Sequence, residues 1–161
     1  MTVTSIDKDV AGLSMRLIAD FDAPIDRVWE LWADPRKLER WWGPPQYPAT
    51  FEAHDLSPGG AASYFMTGPE GERYHGWWRV SSADAPKSLE FADGFANEDG
   101  TPKDDMPTTI VRMQLTERDG GTRMELRSDF ASKEDMEQLM TMGMDEGLRQ
   151  AVGQMDALLA D

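Results

Sequence analysis

Between residues 49 and 130 turn-forming residues cut the chain into short alternating segments, and residues 132–160 then run in a helical period without a proline. That order excludes most architectures. Consecutive strands followed by a segregated helix describe an α+β domain, with an antiparallel sheet carrying its helices on one face. The punctuation falls at Pro58-Gly59-Gly60, Gly68-Pro69-Glu70-Gly71, Pro86-Lys87 and Asp119-Gly120-Gly121, the last a strong hairpin signal. The strands between these turns are 50–56, 62–67, 73–82, 88–92, 108–117 and 122–130. Residues 93–107 (DGFANEDGTPKDDMP) read as a polar loop.

Upstream, Leu13, Met15, Leu17, Ala19 and Phe21 alternate as a half-buried strand does, which makes seven strands in all. Asp22-Ala23-Pro24 starts a helix whose apolar face is Ile25, Val28, Trp29 and Trp32. Asp34-Pro35 stops it and opens a second short helix over 35–41, closed by Gly43-Pro44-Pro45. Residues 1–12 show no period and read as a flexible N-terminal arm before a domain over 13–161. At the other end Ser132 and Asp135 imitate a capping box. Met136, Leu139, Met140, Gly143, Gly147, Leu148, Ala151, Met155 and Leu158 then predict one long amphipathic helix.

Charge and composition narrow the partners. The formal net charge is −14, from 16 Lys+Arg against 30 Asp+Glu, so nucleic acid and anionic membrane surfaces are repelled. No apolar run is long enough for membrane insertion, and no signal peptide is visible. The chain has no cysteine, which removes disulfides and thiolate chemistry and fits a cytoplasmic location. Phosphate-loop, dinucleotide-binding, nucleophile-elbow and zinc-helix motifs are all missing. His54 and His75 are not at ligand spacing. Neither a metal nor a cofactor is expected, and no catalytic residue stands out.

What is unusual is the supply of large, adaptable apolar side chains. Of the six tryptophans, Trp29, Trp32, Trp41 and Trp42 fall on the two short helices, and Trp77 and Trp78 on a central strand. Such residues fill cores, but they also wall ligand pockets. Neighbours on a helix cannot share a face, so one of Trp41 and Trp42 is expected to point away from the core. Eleven methionines, five of them in the last helix, suit a pocket that adapts to ligand shape. Gly143 and Gly147, each costing about 1 kcal/mol mid-helix, imply either tight packing on the sheet or space left for a ligand.

Several stretches together resemble a known family: FDAPIDRVWELWADPRKLERWWGPP (21–45), Asp55 with Pro58-Gly59-Gly60, Tyr74-His75-Gly76, and GGTRMELRSDFASKEDMEQLMTMGMDEG (120–147). They are similar to the single-domain bacterial relatives of the activator of the 90-kDa heat-shock protein ATPase. These belong to the START-like (SRPBCC) superfamily, which includes the birch pollen allergen and polyketide cyclases. The resemblance covers about 13–160. It implies a helix-grip fold, in which a curved seven-stranded sheet holds a long C-terminal helix, two short helices follow the first strand, and a cavity lies between. Where relatives often carry a large or basic residue after the Gly-Gly turn and Arg before the Pro, this chain has Ala61-Ala62 and Ser57.

The reading that follows is a binding protein for a small hydrophobic or aromatic molecule, rather than an enzyme. Expected walls are Val28, Trp29, Trp32 and Trp42 from the helical segment, and Tyr64, Met66, Trp78, Phe91, Met113 and Leu126 from the sheet. Met136, Met140, Gly143, Met144 and Gly147 come from the last helix. The Tyr64 and Tyr74 hydroxyls are the expected polar anchors, with His75 joining them if the alternation slips. Two alternatives remain open. A cyclase- or hydrolase-type enzyme needs a polar group of perturbed pKa in the cavity, such as Tyr64, His54 or Asp55. An interaction module, or a homodimer, needs an exposed apolar patch, for instance Trp41, Trp42 and Trp77. The resemblance raises a co-chaperone role, but the chain corresponds only to the C-terminal domain of the two-domain eukaryotic activators, which argues against a chaperone partner.

Overall fold

A computed structural model describes residues 3–160; Met1, Thr2 and Asp161 lie outside the described residues. One antiparallel sheet runs through the chain: β1 (Val3–Asp9), β2 (Ser14–Phe21), β3 (Ala49–His54), β4 (Ala61–Thr67), β5 (Arg73–Asp84), β6 (Ser88–Phe95), β7 (Thr108–Arg118) and β8 (Gly121–Phe130). Its order, β1-β2-β8-β7-β6-β5-β4-β3, joins the two ends of the strand sequence through the β2–β8 pair. Register shifts between Phe51 and Ala53 and between Val80 and Ser82 mark irregular pairing, the kind of bulge that bends a strand. Helices α1 (Ile25–Ala33) and α2 (Pro35–Leu38) follow β2, and α3 (Lys133–Thr141), α4 (Met144–Gly153) and α5 (Met155–Leu159) follow β8. The architecture fits the helix-grip fold.

Two expectations need correction here. The sheet has eight strands rather than seven, because residues 3–9, expected to be an arm, pair with β2 from Val3↔Ala19 to Asp9↔Ser14. The polar outer residues of this edge strand hid its period: only Val3 is buried, with Ile6 packed partly against the core. Lys8 then reaches across to Asp145 of α4 at 2.6 Å. The long C-terminal helix is also interrupted. Gly143 adopts φ +87°, in the left-handed region, and starts α4, while Gln154 separates α4 from α5. Ser132 caps α3 as expected, its side chain accepting the Asp135 N–H at 3.1 Å.

The core is an aromatic wedge between sheet and helices. Trp32 is fully buried, its ring centroid 4.7 Å from Trp41, 5.9 Å from Trp42 and 6.3 Å from both Trp78 and Phe91. Trp78 stacks on Phe91 at 4.1 Å. Trp41 and Trp42 are both buried, contrary to the expectation that one would face away. The reason is that α2 ends at Leu38, so the pair lies in a turn rather than on a helix face. From there the Trp41 indole donates to the Leu31 carbonyl at 2.8 Å, while Trp42 meets Trp78 at 4.9 Å. Gln154, at the α4–α5 break, holds this turn by donating to the Gly43 carbonyl at 2.7 Å and that of Trp41 at 3.3 Å.

Gly143 and Gly147 separate cleanly on these grounds. Gly143→Ala forces a Cβ into the left-handed region and is expected to destabilise by about 1–2 kcal/mol. Gly147 is an ordinary helical residue, so Gly147→Ala should stabilise by about 0.5–1 kcal/mol. Urea unfolding of the two variants beside the parent reads both signs.

Candidate functional site

Sheet and helices do not close on each other everywhere. At the Gly143 end of the wedge they leave a cavity of about 290 Å³, near the small end of the range for ligand pockets. Trp32 comes to it from α1, Trp42 and Pro44 from the turn that follows α2, and Leu139, Met142, Gly143, Met144, Gly147 and Leu148 from α3 and α4. The sheet contributes Tyr64 and Met66 (β4), Tyr74, His75 and Gly76 (β5), Asp93, Gly94 and Phe95 (β6), Thr109 and Val111 (β7), and Leu126 and Ser128 (β8). Pro107 completes the wall.

Nine of the residues proposed from sequence line this space: Trp32, Trp42, Tyr64, Met66, Tyr74, Leu126, Gly143, Met144 and Gly147. Val28, Trp78, Phe91, Met113 and Met136 are buried in the packed core, and Trp29 and Met140 pack partly buried against it. None of these seven lines the cavity. Contact distances decide between the two roles open to the glycines. A side-chain carbon on Gly143 would meet nothing within 4 Å, and one on Gly147 only Pro44 Cγ at 3.8 Å. Neither glycine is there for close packing.

The feature that sequence reasoning missed is Asp93. Asp93-Gly94 looks like a turn, which places it in the polar loop expected over 93–107. Instead β6 continues through Phe95, and the inward alternation of Leu89 and Phe91 carries on to Asp93 and Phe95. That parity was the available signal. The Tyr64 hydroxyl donates to Asp93 Oδ1 at 2.9 Å. Gly76 makes the bond possible: a Cβ there would collide with Cζ and Oη of the Tyr64 ring. Thr109 and Ser128, both buried, add hydroxyls at positions of inward parity on β7 and β8.

Burial dominates the electrostatics of this pair. Asp93 is withdrawn from bulk water, which pushes its carboxyl up to about 7 against the stabilising bond from Tyr64 and a weaker influence of the Trp78 indole. Tyr64 is driven well above its ordinary value by burial first and by the Asp93 charge second. Its hydroxyl therefore stays protonated as a donor. The indole N–H groups of Trp32, Trp42 and Trp78 are buried without a hydrogen-bond partner. Among the described residues Asp93 has no ion pair, and no lysine or arginine lines the cavity.

The other polar candidates lie elsewhere. His54 sits outside the cavity, its ring N–H donating to the Trp32 carbonyl at 3.0 Å, and burial holds its pKa down. Asp55 is exposed, kept below the usual carboxylate range by bonds from the Ser57 hydroxyl and N–H. Trp77 is half-buried, bonded through its indole to the Phe95 carbonyl at 3.1 Å. Among the described residues no cluster of His, Cys, Asp and Glu could hold a metal ion, and no helix is long and apolar enough to cross a membrane.

Asp93 makes stability depend on pH with a defined sign. Its folded value near 7 lies above the ordinary 3.8, so the folded chain keeps a proton that the unfolded chain has lost across that window. Stability contributed by Asp93 is complete below about pH 4 and falls as pH rises towards 7. Asp93→Asn cannot ionise. From pH 4 to pH 8 the stability difference should move in favour of the variant by at least ~1 kcal/mol, since each tenfold difference in proton affinity is worth about 1.36 kcal/mol. Urea unfolding at the two pH values reads the change.

Comparison with known proteins comes to the same architecture. The family model for the Activator of Hsp90 ATPase homolog 1-like protein matches residues 22–160. The crystal structure of protein Ms6760 from Mycobacterium smegmatis is 47% identical, with a TM-score of 0.91 over 98% of this chain and 96% of that one. The solution structure of a protein from Arthrobacter aurescens is 50% identical, with a TM-score of 0.95 over 99% of this chain and 92% of that one. A protein from Staphylococcus epidermidis, 24% identical with a TM-score of 0.84 over 98% of this chain and 94% of that one, shares the fold. None of the curated proteins matches the chain.

Proposed function

The chain belongs to the family of Activator of Hsp90 ATPase homolog 1-like proteins, and we propose that it holds a small apolar or aromatic molecule between its sheet and its C-terminal helices. The observation that carries this reading is the cavity of about 290 Å³ beside Gly143 and Gly147, where a folded core would otherwise be filled. The cavity is open to solvent at Tyr74 and Met142, and an apolar, aromatic wall left to water is costly unless something covers it. Desolvation supplies the affinity, at roughly 25 cal/mol per Å² of apolar surface buried, and Tyr64 with Asp93 supplies orientation. A cytoplasmic setting belongs to the same proposal.

One observation favours a second reading. A carboxyl pushed up to about 7 inside an apolar cavity is poised to take or give a proton near neutral pH, as a cyclase- or hydrolase-type enzyme requires. In that case Asp93 moves the proton and Tyr64 positions it. The interaction-module reading loses its surface, since Trp41 and Trp42 are buried and only Trp77 of the three reaches the outside in part.

Titration with flavonoids, polyketide-like aromatics and fatty acids, followed by tryptophan fluorescence and melting temperature together, tests the binding reading. A ligand of the folded state raises the melting temperature with concentration, and Trp32 and Trp42 at the wall report occupancy. Gly147→Leu places a side chain into the open space and should cut affinity at least tenfold while the variant stays folded. Silence of both signals across the whole panel rejects the proposal. Conversion of a bound compound, lost in Asp93→Asn, replaces it with the enzyme reading.

A further inference from the structure

A carboxyl group that faces an aromatic-walled cavity, accepts one hydrogen bond and has no cation beside it is a half-made site. Resting on the cavity-binding reading above, we propose that the ligand carries a positively charged ammonium group, seated against Asp93 and the faces of the surrounding aromatic side chains.

Three features of the cavity converge on this class. The first is its imbalance of charge. The titratable side chains in the wall are Tyr64 from β4, Tyr74 and His75 from β5, and Asp93 from β6. The helical side presents only Trp, Pro, Leu, Met and Gly, and β7 and β8 only Thr109, Ser128 and apolar residues. Asp93 is thus the one acid, with no lysine or arginine to neutralise it. A carboxylate partly withdrawn from water is best tolerated when paired, and here the pairing group comes from outside.

The second feature is that the local donors serve the ionised form. Tyr64 donates its hydroxyl to Oδ1 at 2.9 Å, and Gly76 is the residue that lets the Tyr64 ring reach it. The Trp42 and Trp78 indoles have no hydrogen-bond partner of their own, and they act electrostatically on Tyr64, with Trp78 also acting on Asp93. Trp78 lies directly across from Asp93 in the β5–β6 register. Tyr64 holds Oδ1 of the carboxylate, which leaves Oδ2 for a cation.

The third is the wall itself. Trp32, Trp42, Tyr64, Tyr74 and Phe95 all line the cavity, and aromatic ring faces attract an ammonium group. The net charge of −14 draws cations towards the protein from a distance. A neutral acceptor ligand would use only the protonated form of Asp93, so its binding would weaken as pH rises through 7, the opposite of an ammonium ligand.

Benzyltrimethylammonium and its uncharged isostere neopentylbenzene separate these possibilities, because neither titrates. Equilibrium dialysis at pH 6 and pH 8 with the full chain should give at least tenfold tighter binding of the ammonium compound at pH 8. Its affinity should fall about tenfold at pH 6, as expected for a carboxyl near 7 that must ionise to pair, while the isostere is indifferent to pH. Asp93→Asn should abolish both the preference and the pH dependence. Unchanged binding of the isostere by that variant shows that its cavity is intact.

Equal or tighter binding of the isostere by the parent protein overturns the ammonium inference but leaves the cavity reading standing. So does a preference that survives in Asp93→Asn, or a pH dependence that disappears in His75→Gln instead. Failure of both compounds to bind overturns the ammonium inference, and the ligand panel above then decides the cavity reading.

Discussion

The fold depends on how the helix-bearing face of the sheet is filled. Eight strands present a surface too broad for one helix to cover, so side chains must bridge sheet and helices. Here Trp32 is the bridge. It is carried by α1, is fully buried, and lies within about 6.3 Å, centroid to centroid, of Trp41, Trp42, Trp78 and Phe91. Aromatic pairs at such separations contribute beyond their area, and four of them share one ring. The position of α1, the turn at 41–43 and the seat of Gln154 all follow from that wedge. So does the cavity, because a wedge of fixed size holds the helices off the sheet beyond its own reach.

The fold was legible wherever a period was clean. The strands between Ala49 and Phe130 and the helix after Asp22 were visible because turn residues punctuate them and inward positions are apolar. The failures have particular physical causes. Val3–Asp9 is an edge strand with a mostly polar surface, so alternation had nothing to show. Gly143 keeps the helical period on both sides of the break, and a left-handed residue leaves no trace in apolar spacing. Trp41 and Trp42 misled because adjacency excludes a shared face only on a helix, and α2 had already ended.

The candidate site was legible to about the depth of its walls. Parity and helical spacing bring Tyr64, Leu126, Gly143 and Gly147 to the right layer, but they cannot tell a core side chain from one that meets empty space. Trp78 and Phe91 share that layer and stack on each other instead. Asp93 was hidden by a rule that is right on average, that Asp-Gly is a turn. Here Gly94 continues the strand, and a side chain on it would collide with the Trp77 ring on the opposite face. The glycine of that dipeptide answers a packing need, and the aspartate is free to point inward.

Features that a stability optimum would remove gather around this one cavity. A left-handed glycine interrupts the helix, Asp93 is partly buried without a cation, and the Trp32, Trp42 and Trp78 indole N–H groups have no partner, each such orphan costing about 1–3 kcal/mol. Polar groups away from it are paired: Arg123 binds Asp20 through two bonds of 2.8 and 2.9 Å on the outer side, and the Thr122 hydroxyl closes on the Ala23 carbonyl at 2.7 Å. Local violations held in place by the surrounding structure are of the kind that functional sites carry. The aromatic wedge provides the surplus that bears them. The cavity is therefore better understood as a cost that packing around Trp32 sustains than as a failure of the core to close.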